Sequence, residues 1–116
     1  NCYKAVADFR SAAHAYARAI KLEPKMSEAW FNFADLLRTS GKIGGARHHL
    51  LQALKIDPAY ADAIDNLAAL EYEAGQLRDA RHWWTRYLLI DKESQWAKTA
   101  ARGIEFVDTE LRRSSA

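Results

Sequence analysis

Three histidines recur at one interval, His14, His48 and His82, and His49 stands beside the second of them. Imidazole is the commonest metal ligand, so a metal row is the first chemistry to weigh. Zinc holds its nitrogens at about 2 Å, whereas equivalent positions on successive packed helices lie about 10 Å apart. Neighbours such as His48 and His49 point in different directions on a helix. The row therefore reads as a solvent-facing position that accepts histidine, and no metal is expected. The run Gly41-Lys42-Ile43-Gly44-Gly45 is glycine-rich but lacks the Gly-Lys-Ser/Thr ending of a phosphate loop, and it follows a helical stretch rather than a strand. The single cysteine, Cys2, excludes an intramolecular disulfide and suits a reducing, cytoplasmic setting. No histidine or carboxylate is positioned to activate it. The carboxylates are spread at surface spacing. No catalytic set, cofactor or metal is expected, and the chain reads as a binder rather than an enzyme.

One stretch is charged in a single sense. From Asp57 to Glu73 there are five acids, Asp57, Asp62, Asp65, Glu71 and Glu73, and no Lys or Arg. Such a face favours a basic or amine-bearing partner and speeds its encounter. The competing reading is a solvated acidic surface of a soluble helix. For the whole chain the net charge of +2 is too small to suggest a nucleic-acid or membrane partner, and no apolar run approaches the ~20 residues that span a bilayer.

The histidine interval is shared by much of the chain. At an offset of 34, Pro24 returns as Pro58, Ala12 as Ala46 and Ala80, and Phe9 as Ile43 and Leu77. Ile20, Leu54 and Leu88 match, as do Leu22, Ile56 and Ile90. Tyr16, Leu50 and Trp84 share a large apolar slot, and Gly41 and Gly75 mark equivalent turns. Each unit reads as two helices. The first complete pair runs from about Glu28 to Ser40, with Ser27 as cap, and from Ile43 to Ile56, where Asp57-Pro58 stops it. The next runs from Ala61 to Ala74 and from Leu77 to Ile90. Residues 1–24 are expected to hold the end of a first helix and the whole of a second. Ala34, Ala46, Ala53, Ala68 and Ala80 stand where helices cross, because small side chains let the axes approach. After Asp91 the register is expected to fail, with Lys98 and Ala101 where large apolar residues are wanted. Ser94 then caps a final helix over 94–113 with Trp96, Ala100, Ile104, Val107 and Leu111 at helical spacing, closing the apolar end of the array. Trp83 and Trp84 are both assigned to the core.

The set Trp30-x-x-Phe33-Ala34-x-x-Leu37, Gly41, Ala46, Leu50, Ala53 and Pro58 resembles the tetratricopeptide repeat (TPR). A more degenerate copy follows with Ile64, Leu67, Ala68, Gly75, Ala80 and Trp84. The resemblance implies an all-α, right-handed superhelix of antiparallel helix pairs, about two and a half repeats with a C-terminal capping helix. Its domain would be a partial repeat at 1–24, repeats at 27–60 and 61–92, and the cap at 94–113. It also implies a concave groove lined by the first helix of each pair, which binds a protein or peptide segment.

That face carries Glu28, Phe31, Asn32, Asp35, Arg38 and Thr39, then Asp62, Asp65, Asn66, Ala69, Tyr72 and Glu73. By the same resemblance Asn32 and Asn66 would bond an extended backbone, each amide serving both N–H and C=O. Phe31 and Tyr72 would anchor side chains, and Asp35, Asp62, Asp65 and Glu73 would draw positive charge. Asp62 and Asp65 stand where recognition of a C-terminal carboxylate would need cations, so that type of ligand is not expected. Two alternatives stay open. The stretch from Ala80 to Ala97 resembles the end of TPR arrays in bacterial MerR-type transcription regulators, which would make this a sensing or assembly region. The chain begins Asn1-Cys2-Tyr3 rather than with Met, and an earlier segment is expected. The apolar face around Tyr3, Phe9 and Tyr16 could instead pair with a second copy.

Overall fold

The computed structural model describes residues 2–115, with side chains from 8 to 114. Six helices follow one another: α1 (Cys2–Leu22), α2 (Ser27–Thr39), α3 (Ile43–Ile56), α4 (Ala61–Glu73), α5 (Leu77–Ile90) and α6 (Gln95–Ser115). Among the described residues there is no strand, and no helix is long and apolar enough to cross a membrane. The chain divides into two compact units, one up to Pro58 and one from Ala59 onward.

In the first unit α2 and α3 form a helical hairpin, and α1 packs on α2. Its turn is set by Gly41, whose φ of 81° is the left-handed conformation that a side chain disfavours. The Lys42 N–H donates to the Leu37 carbonyl at 2.8 Å and the Gly41 N–H to that of Arg38 at 3.1 Å. This is the Schellman pattern that satisfies a helix's last carbonyls. The hairpin buries Ala34, Leu37, Ala46, Leu50, Ala53 and Leu54, so the alanines occupy the close approaches assigned to them.

Two expectations about this unit are corrected. Ser27 is the first residue of α2 rather than its cap. Met26 holds the cap position, and no side chain bonds the helix there. The entry is instead fastened by the Trp30 indole, which donates to the Pro24 carbonyl at 2.9 Å. Residues 2–22 form one continuous helix rather than parts of two. The glycine that turns the chain at Gly41 and Gly75 has Ala7 as its counterpart, and alanine prolongs a helix.

In the second unit α5 packs on both α4 and α6. Gly75, with φ 80°, repeats the turn of Gly41, with Gln76 N–H to Glu71 carbonyl at 2.8 Å and Gly75 N–H to Tyr72 carbonyl at 3.1 Å. Ala63, Ile64, Leu67, Ala68, Leu70 and Ala80 are fully buried. Ser94 caps α6, its hydroxyl accepting from the Ala97 N–H at 3.2 Å. Arg81 of α5 pairs with Asp108 of α6 at 2.6 Å.

The final helix corrects a third expectation. Its buried stripe is Ala97, Ala100 and Val107, with Ile104 and Leu111 half-buried, whereas Trp96 is 65% exposed. Ala97 continues the column of Ala29 and Ala63, both also buried, while Lys98 and Ala101, the counterparts of the fully buried Ile64 and Leu67, are exposed, so the core register fails in α6 as expected. Gly103 is explained by its neighbour. A Cβ there would lie 2.8 Å from the Trp84 ring, so the indole rests directly on the α6 backbone.

Candidate interaction surface

Each first helix turns one arc away from its buried side. On α2, Glu28 and Asp35 are exposed while Phe31, Asn32 and Arg38 are half-buried. On α4, Asp62, Tyr72 and Glu73 are exposed, and Asp65 and Asn66 are half-buried. Within each helix these positions share a face by the 3.6-residue period, opposite Ala29, Ala34 and Leu37 on α2 and Ala63, Leu67 and Leu70 on α4. Glu71 is the exception among the acids of α4. It is buried at 6% exposure and lies off the outward face, which leaves Asp62, Asp65 and Glu73 as the carboxylates of that face.

Tyr72 does not stand alone. Its ring meets Phe106 of α6 at 5.9 Å, edge-on at 69°, and Trp84 of α5 at 5.9 Å. The sequence reading did not single out Phe106. The signal was present, because Phe106 follows Tyr72 by one repeat, as Tyr72 follows Arg38.

A second aromatic cluster lies in the first unit. His49 of α3 stacks against Phe33 at 4.5 Å and Trp30 at 5.3 Å, and Tyr16 of α1 meets Phe33 at 6.1 Å. The His49 Nδ1–H donates to the Gly45 carbonyl at 2.8 Å, fixing the ring. This cluster is half-buried and belongs to the packing of α1, α2 and α3. On α5, Trp84 is buried, but Trp83 is half-buried with the Arg86 guanidinium 5.1 Å from its ring. His14, His48 and His82 are exposed on α1, α3 and α5.

One further polar cluster joins α5 to α6. The Tyr87 hydroxyl donates to Asp91 at 3.0 Å, and the Ser94 N–H and Glu93 N–H donate to the same carboxylate at 3.1 and 3.2 Å. The Ser94 hydroxyl bonds it as well. These donors, the Ser94 hydroxyl foremost, hold the Asp91 carboxyl below its ordinary value. Burial, then the bond to Asp91, pushes the Tyr87 phenol up. The cluster is saturated by its own turn and serves as a clasp. Each unit by itself thus turns amide, ring and carboxylate groups outward, on α2 in the first and on α4, with α6 beside it, in the second.

A family model described as tetratricopeptide repeat matches residues 37–103. No curated protein matches the chain. Among solved structures it is similar to the first TPR of Spaghetti (RPAP3) bound to the HSP90 peptide SRMEEVD, with TM-score 0.80 and 17% identity over 97% of this chain and 86% of that one. It is similar also to the TPR domain of Arabidopsis OM64, with TM-score 0.77 and 18% identity over 90% of this chain and 87% of the other. At these identities the likeness concerns the fold.

Proposed function

The chain belongs to the tetratricopeptide repeat family, and from that premise we propose that it is a protein–protein interaction module binding an extended, basic segment on its first-helix faces. The observation that carries this reading is the outward face of α4, where Asp62, Asp65 and Glu73 reach solvent on a helix with no Lys or Arg. The similar RPAP3 structure holds a peptide, SRMEEVD, which carries three acidic side chains and one arginine. This chain presents carboxylates, so its ligand carries the opposite sign. Asn32 and Asn66 offer amides to a peptide backbone, Phe31 and Tyr72 offer rings, and Glu28, Asp35 and Arg38 complete the α2 face. The work is binding, not catalysis.

The test is a fluorescence-anisotropy titration with labelled basic peptides. Asn32→Ala and Asn66→Ala should each weaken binding by about 1 kcal/mol, roughly fivefold in Kd. Unchanged affinity in both variants would sink the backbone contacts.

A second reading is self-assembly through α1. Ala12, Tyr16 and Ala19 are half-buried, while their counterparts Ala46, Leu50 and Ala53 are fully buried. Tyr3, which belongs to that face in sequence, lies outside the described side chains. Mass that rises with concentration in sedimentation supports this reading, and a strict monomer argues against it. The likeness of Ala80–Ala97 to the ends of regulator arrays would make the ligand a regulatory partner.

A further inference from the structure

Phe106 is turned away from the core that its neighbour Val107 enters, and it remains 51% exposed beside the 37%-exposed Tyr72. The two rings meet edge-on at 5.9 Å. Tyr72 also meets Trp84, itself seated on Gly103. Exposed aromatic rings present electron-rich π faces, and such faces attract cations. A carboxylate is placed to agree. Asp65 lies two turns before Tyr72 on the same line of α4. The chain seats cations of its own on other rings, Lys42 on Phe9 at 5.6 Å and Arg86 on Trp83 at 5.1 Å. Arg102, one turn before Phe106, is exposed on α6 and is a like charge to any cation arriving there.

We propose that Tyr72 and Phe106 seat the guanidinium of an arginine from the partner segment, and that α6 is thereby part of the ligand surface as well as the end of the array. Arginine is the fitting side chain because its planar group stacks on aromatic faces while its N–H donors reach carboxylates. This rests on the basic-segment reading above and adds the side chain read at one position.

The experiment titrates the full chain with a fluorescein-labelled eight-residue peptide of Ser and Gly carrying two arginines, and with its twin in which citrulline replaces arginine. Citrulline keeps the planar shape and loses the charge. The wild type should bind the arginine peptide about tenfold more tightly. Phe106→Leu keeps an apolar group and removes the ring, and should cut that preference to within about twofold. Arg102→Glu should widen the preference by about threefold or more. Asn66→Ala should weaken both peptides alike and keep their ratio. Circular dichroism checks that each variant is folded. Equal binding of the two peptides by the wild type overturns the arginine seat and the basic character of the ligand with it, and leaves segment binding through the amides standing. Full preference in Phe106→Leu, or none gained in Arg102→Glu, also overturns the seat. Binding of neither peptide overturns both readings.

Discussion

The two aromatic clusters are made of similar residues and do different work. In the first unit Tyr16, Trp30, Phe33 and His49 come from three helices and close on one another, with the Trp30 indole tied to Pro24 and the His49 ring to Gly45. In the second unit Tyr72, Trp84 and Phe106 also come from three helices, but where the first four are all half-buried, here Trp84 is buried and the other two are exposed. The difference is one of column. Trp30 and Phe33 stand where paired helices meet, whereas Tyr72 and Phe106 stand on the face that turns away. The same ring chemistry thus becomes packing in one place and surface in the other. The register of the repeat decides which.

This contrast can be broken most severely at Trp84, the buried floor of the second cluster. Trp84→Ala should cost about 3–5 kcal/mol in chemical denaturation. A loss below about 1 kcal/mol would mean that the ring is not holding α5 to α6. Gly103→Ala comes next. In an ordinary helix this change stabilises, but here the new methyl would meet the Trp84 ring at 2.8 Å, so about 1–3 kcal/mol should be lost. Ser94→Ala removes the cap of α6 and should cost about 1 kcal/mol.

The same clasp predicts a pH dependence. The folded Asp91 carboxyl lies below its unfolded value, so its contribution is fully present above about pH 4 and is lost as pH falls through the folded value. Asp91→Asn should therefore show a shallower fall of stability with acid than the wild type. The phenol of Tyr87 has the opposite sense, since its raised value makes folding less favourable as pH climbs past about 10. The smallest effect is at Gly44, where a Cβ would meet nothing within 4 Å. Gly44→Ala should stabilise by about 0.5–1 kcal/mol, the reverse of its counterpart at Gly103.

Much of this architecture was legible because its punctuation is chemical. Gly41 and Gly75 adopt a backbone that other residues avoid, and Pro58 cannot prolong α3, so the bounds of α3 and α5 fall where the residues place them. Alanines at crossings were legible for the same reason, since close approach tolerates little else. What escaped depended on choosing between neighbours with equal spacing. Trp96 and Ala97 both continue the 100, 104, 107, 111 stripe, and the larger residue seemed the better core. The contact needs the smaller one, as at Ala29 and Ala63. Phe106 was hidden by the expectation that the register ended at Asp91. The burial of Glu71 arises from surroundings that no single helical segment displays, whereas the unbroken α1 was marked by Ala7 in the place of the turn glycine. The outward residues of α2 and α4 were found by their repeat positions, but the sequence did not show that α6 sets a ring beside one of them.

The paired glycine turns also bear on how the chain reaches this state. Each closes its hairpin with hydrogen bonds between residues five or fewer positions apart, and the side-chain tether from α5 to α6 spans 27 positions. Loops of that size close in well under a millisecond. A fold assembled from such short spans should be rapid to form, on the order of microseconds to milliseconds, and either hairpin can serve as the nucleus from which its neighbours are added.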